Sequence, residues 1–142
     1  MRPLAKQIFL FSFLLSCAFD MFAQQSKLDS LKRKALSLPN DTTKVLALNR
    51  FAKAADNSGE MDSAMLYFQR SLDLSLQLKY HYGISAGFNS LGKIYLNKAA
   101  YPEAQEYFFK SLEEAERYNI KLAMAAALGN LGIVYQEQED FR

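Results

Sequence analysis

The 142-residue chain reads as an all-α protein, a solenoid of stacked helix pairs, and three observations predict it. Residues recur at an offset of 40 over most of the chain, apolar residues inside each unit follow a period near 3.6, and no segment sustains the period-two alternation of a strand. The recurrence is dense. Leu48, Phe88 and Leu128 share the offset, as do Phe51, Leu91 and Leu131, then Gly92 with Gly132 and Tyr95 with Tyr135. Further along the unit Ala64 matches Ala104, Tyr67 matches Tyr107, Phe68 matches Phe108, Ser71 matches Ser111 and Leu72 matches Leu112. So many coincidences at one offset mark an internal duplication, and duplicated units of this length bury their apolar faces by stacking on their neighbours.

The amino end is set apart from the fold. Arg2 and Lys6 precede a twelve-residue apolar run over 8–19 that Asp20 closes. A membrane-spanning helix needs roughly 20 apolar residues, so the run has the length of a signal-peptide core. Two processing sites compete. Ala23, followed by Gln24 and Gln25, suits cleavage that removes 1–23, although Met21 is larger than the residue usual two places earlier. Leu14-Leu15-Ser16-Cys17 instead resembles a bacterial lipobox, with Cys17 the lipidated first residue of a membrane-anchored lipoprotein. An uncleaved anchor is the third reading. All three make the chain exported, periplasmic or secreted, and confine membrane contact to the signal or a lipid.

Beyond that segment, helix signals follow one another. Apolar residues over 27–38 predict a helix that caps the stack, within an amino-terminal stretch over 24–44. Asp41 is placed to cap a helix beginning near Thr42, because its carboxylate can accept from the first free backbone N–H groups. Asp56-Asn57-Ser58-Gly59 predicts a turn. Tyr67, Phe68, Leu72, Ser75 and Leu76 interleave with Leu66, Gln69 and Arg70 at helical spacing. Pro102 sits where a first-turn proline removes no helical donor.

The middle unit carries Phe88-x2-Leu91-Gly92-x2-Tyr95 and then Ala104-x3-Phe108, which resembles the tetratricopeptide-repeat signature. The large-small alternation has a physical purpose: Gly92 and Ala104 allow two helices to approach closely, and the large residues fill the space around that contact. The resemblance implies about two and a half repeats over 45–84, 85–124 and an incomplete 125–142. It departs from the family in three respects. Ala52 and Ala55 replace the Gly and Tyr of the first repeat, the terminal Pro is missing, and the period exceeds the usual 34 residues, with the added length expected between Phe108 and Leu128. Arg142 falls at the position of Pro102, so a second helix for the third repeat is expected further along a longer polypeptide.

Composition argues against several activities. The chain carries 17 Lys and Arg against 15 Asp and Glu, a net charge of +2, or +1 once 1–23 is removed. Charges alternate in sign, as over Glu113, Glu114, Glu116 and Arg117, which is the pattern of a solvated helix face and not of a nucleic-acid surface. Cys17 is the only cysteine, which rules out an intrachain disulfide, and His81, the only histidine, has no second His or Cys with which to bind metal or activate a nucleophile. Gly129-x2-Gly132 lies in a helical pattern with no preceding strand, so it reads as helix packing and not as a phosphate loop. The aromatic residues recur with the unit and read as core. The expectation is a chain with no cofactor, no metal, no nucleic acid and no enzymatic activity.

What remains is a surface. First helices line the concave face of tetratricopeptide proteins, and the resemblance puts Asn49, Lys53, Asn89, Lys93 and Asn130 on or near it. Asn49 and Asn89 are one period apart, as are Lys53 and Lys93. An amide can donate to and accept from an extended backbone and a lysine can meet a carboxylate, so the partner expected there is a protein or peptide. The run from Leu28-Asp29-Ser30-Leu31 through Asp41-Thr42-Thr43-Lys44-Val45 to Phe88-Asn89-Ser90-Leu91-Gly92 also resembles the exported sensor portion of bacterial histidine kinases and regulators. Two readings therefore stand: an exported scaffold for protein–protein binding, and the truncated periplasmic input domain of a two-component kinase or transcriptional regulator.

Overall fold

The computed structural model describes residues 2–140, with side chains from Leu15 to Glu139 other than Cys17. Cys17's side chain and Arg142, both singled out in the sequence, lie outside what is described. Among the described residues there are six helices and no strand: α1 (Arg2–Ser37), α2 (Thr42–Asn57), α3 (Met61–Gln77), α4 (His81–Asn97), α5 (Tyr101–Arg117) and α6 (Lys121–Asp140).

Helix α1 is longer than the capping segment expected at 27–38. It runs through 23 and 24 without a break, since neither Gly nor Pro interrupts residues 4–38, and it ends just before Pro39, which disfavours helical geometry in the residue preceding it. Among its described side chains Leu28 and Ala35 are buried, and Leu31 packs against the same core. Asp41 then caps α2, its Oδ1 accepting from the N–H of Thr43 at 2.9 Å and of Lys44 at 3.2 Å.

From α2 onward one turn is used four times. A residue in the left-handed region follows the helix-closing residue: Gly59 (φ 81°), Lys79 (φ 51°), Ala99 (φ 55°) and Asn119 (φ 53°). The next residue donates its N–H to a carbonyl five positions back, Glu60 to Ala55 and Tyr80 to Ser75 at 2.9 Å, Ala100 to Tyr95 at 2.9 Å and Ile120 to Ala115 at 2.8 Å. This pairing satisfies carbonyls left open at a helix end. The carbonyl of that same residue accepts the first bond of the following helix, from Ala64, Ile84, Ala104 and Met124. Positions 60, 80, 100 and 120 thus close one helix and open the next, dividing the 40-residue period into equal halves. The interval from Phe108 to Leu128, where added length is expected, holds the end of α5, one such turn and the start of α6.

Each helix packs on its chain neighbours. In addition α2 touches α4 and α4 touches α6, whereas α3 and α5 do not touch each other. Close approach within the α4–α5 pair depends on Gly92. A Cβ built there would meet Phe108 Cδ1 at 2.7 Å, and Phe108 and Leu91 are fully buried beside it. The corresponding Ala52 and Phe68 are buried in the core shared by α2 and α3, where Phe51 meets Tyr67 edge-on at 4.5 Å between ring centroids. Buried serines bridge the same pairs. Ser71 Oγ donates to the Val45 carbonyl at 3.1 Å, and at positions one period on Ser111 Oγ donates to the Ser85 carbonyl at 2.9 Å. The Ser85 hydroxyl reciprocates to the Ser111 carbonyl at 2.9 Å.

Helix α6 repeats the pattern of α4 with less cover. Leu131 and Val134 are buried against Ala104 and Phe108, while Leu128 and Tyr135 are about half exposed and nothing lies within 4 Å of a Cβ at Gly132. No helix among the described residues occupies for α6 the place that α5 takes on α4. The contrast predicts that Gly92→Val, by overpacking against Phe108, lowers unfolding free energy by about 2–3 kcal/mol, whereas Gly132→Val is neutral within about 0.5 kcal/mol. Chemical denaturation of the two variants measures both.

Candidate functional site

Residues spaced four, three and four along α4 share one face, and Tyr82, Ala86, Asn89 and Lys93 follow that spacing. Together with Lys53 from α2 and Leu122 and Ala126 from α6 they line a groove of about 210 Å³. Ser85 and Ser111, both fully buried, contribute to its lining, so the groove sits over the hydroxyl exchange that joins α4 to α5. Its charged groups are the exposed Lys53 and Lys93; no carboxylate lines it.

The five residues singled out in the sequence have different fates. Lys53, Asn89 and Lys93 line the groove. Asn130 does not line it but donates from Nδ2 to Asn89 Oδ1 at 2.8 Å, joining α6 to α4. By the 40-residue offset Asn130 corresponds to Ser90, and the position of Asn49 and Asn89 is held in the third unit by Gly129. Asn49 is also outside the groove lining, and its Oδ1 is shielded from solvent with no hydrogen-bond donor. An unmet buried acceptor costs about 1–3 kcal/mol, so a donor brought to Asn49 would be favoured.

Several groove residues escaped sequence reasoning, among them Tyr82, Leu122 and Ser90. Tyr82 and Leu122 are one period apart, as are Ala86 and Ala126, so the repeat contained the signal although the residue types at the first pair differ. The pair His81 and Glu114 was not legible either. The two side chains, 33 residues apart, meet at 2.7 Å between Nδ1 and Oε1, and the His81 ring stacks on Tyr118 at 3.4 Å between centroids. That contact ties the start of α4 to the end of α5, next to Tyr82 in the groove.

The titration shifts lie away from the groove. Burial, reinforced by the neighbouring Tyr95, holds the Tyr107 phenol above its ordinary range, and a hydrogen bond to Glu106 raises the exposed Lys110 ammonium. A second cavity of about 240 Å³ lies between α1 and α2, lined mainly by Leu31, Leu38, Leu46 and Ala47 with Lys34 and Arg50. Among the described residues no three His, Cys, Asp or Glu side chains converge as a metal site would require, and no helix is long and apolar enough to cross a membrane. Comparison of the chain with protein-family models and with curated proteins returns no match.

Proposed function

We propose that this chain is an exported tetratricopeptide-repeat scaffold that holds an extended acidic polypeptide in the groove across α2, α4 and α6. The observation that carries the reading is the groove's chemistry: two lysines one repeat apart, an asparagine between helices, and no carboxylate. Lysine ammonium groups on flexible stems can follow carboxylates along an extended chain, and the Asn89 amide suits a peptide group, which both donates and accepts. Contact among α2, α4 and α6, with none between α3 and α5, supports the assignment of the first three to a concave face.

Export is supported by how α1 meets the remainder. Phe19, Met21 and Phe22 are 72–75% exposed, and among the described side chains the first buried one is Leu28. Loss of 1–23 would remove these exposed apolar side chains while keeping the hydrogen bond from Gln24 Nε2 to Ser58 Oγ at 2.7 Å. The repeats would then start from a shortened cap.

Two measurements bear on this reading. Because Lys53 and Lys93 are exposed, Lys53→Ala with Lys93→Ala is expected to weaken binding of an Asp- and Glu-rich peptide about tenfold and to shift the melting temperature by less than about 2 °C. Unaltered affinity in the double variant would rule out the groove as the binding site. Intact-mass analysis of the protein recovered from a bacterial host's periplasm is expected to show an amino terminus at Gln24; a lipid-modified Cys17 or an uncut chain would refute cleavage after Ala23.

A further inference from the structure

Resting on the reading of the groove as a polypeptide site, we propose that it takes its occupant in one polarity: an apolar side chain between Tyr82 and Leu122, and carboxylates about five residues away at Lys53 and Lys93. The two ends of the groove differ in chemistry. Tyr82 and Leu122 stand at the starts of α4 and α6, one period apart, with Ala86 and Ala126 one turn further along the same helices. Lys53 and Lys93, also one period apart, stand in the later halves of α2 and α4, and neither has an ion-pair partner among the described residues.

Between the ends the groove offers few free polar groups. The hydroxyls of Ser85 and Ser111 are engaged with each other and with backbone carbonyls. Asn89 Oδ1 accepts from Asn130, which leaves the Asn89 Nδ2 hydrogens to meet a carbonyl of the occupant. The apolar end owes nothing to where the described helices stop. Tyr82 is 39% exposed although α5 and α6 both pack on α4, so its position stays open when a further helix pair is stacked. Leu122 holds that same position one period on.

Distance decides how the two ends are met. Tyr82 and Lys93 lie eleven residues apart on α4, about 16 Å at the helical rise. An extended chain advances about 3.3 Å per residue, so about five residues span the interval. Charges are screened over about 8 Å at physiological ionic strength, so a carboxylate held at Tyr82 is out of reach of the lysines. It would lose water against Leu122 and Ala126 with no cation beside it in the lining, since His81 is engaged by Glu114 and Lys121 is not part of the groove. An aliphatic side chain at that end instead buries apolar surface on Tyr82 and Leu122 and leaves the carboxylates to the lysines. A uniformly acidic segment is therefore the poorer occupant.

Fluorescence anisotropy with the full chain and three labelled peptides of equal charge tests the proposal. The first peptide has a leucine, four Gly and Ser residues and then two glutamates; the second has serine in place of the leucine; the third joins the leucine directly to the glutamates. The first is expected to bind about tenfold more tightly than either of the others. Tyr82→Ala with Leu122→Ala is expected to bring the first peptide down to the affinity of the second, and Tyr82→Phe to keep the preference; both positions are exposed, and circular dichroism establishes that the variants are folded. Equal affinity of the unaltered chain for all three peptides, or a preference that survives Tyr82→Ala with Leu122→Ala, would overturn the polarity while leaving the lysines as a site for acidic peptides. Failure of all three peptides to bind would overturn the groove as a polypeptide site and the polarity with it.

Discussion

The geometry on which the rest of the structure depends is the turn that recurs at 60, 80, 100 and 120. Its single left-handed residue and its N–H to carbonyl bond five residues back let a helix stop, reverse and restart within three residues. Because the interval is constant, α3, α4 and α5 each have 17 residues and present their faces in the same phase. A left-handed conformation costs a non-glycine residue roughly 1–2 kcal/mol. Lys79 and Ala99 accept that cost, which is offset by the carbonyls their turns satisfy.

Constant phase turns a repeated sequence into repeated packing. Gly92 reaches Phe108 and Ser85 reaches Ser111 because α4 and α5 meet at a fixed register, and the Ser71 bond to Val45 occupies the same register one period earlier. The same phase brings the sides of α2, α4 and α6 into one row, which gathers Lys53 and Lys93, 40 residues apart, along a single groove. The chemistry proposed for the groove follows from a spacing set by turns that lie outside it. On α6 the phase leaves Leu128, Gly132 and Tyr135 facing outward, since the helix whose counterpart covers α4 is not among those described.

Much of this architecture was legible in the sequence because it depends on local chemistry or on exact recurrence. Asp41 could be assigned as a cap, Gly59 as a turn and Pro102 as a first-turn residue from the properties of those side chains alone, and each occupies that position. The close contact at Gly92 was readable from the alternation of large and small residues. The turns at Lys79 and Ala99 were not readable, since neither residue type favours the left-handed region, and the 20-residue half-period was hidden with them. Nor was the uninterrupted course of α1, where the stretch read as a processing signal and the helix that follows have no Gly or Pro to separate them. In the candidate site the lysines and Asn89 were expected from the resemblance to tetratricopeptide repeats, whereas Asn130 reaches Asn89 from one residue out of register, and the His81–Glu114 contact joins residues related by no period.

Amide hydrogen exchange at the four turns tests the central claim most directly. The N–H groups of Glu60, Tyr80, Ala100 and Ile120 each donate to a carbonyl of the preceding helix. The account predicts that all four exchange at least about 100-fold more slowly than in an unstructured peptide, at rates close to those of the flanking helices. Free-peptide exchange at Tyr80 and Ala100, with protection confined to the helices, would contradict it.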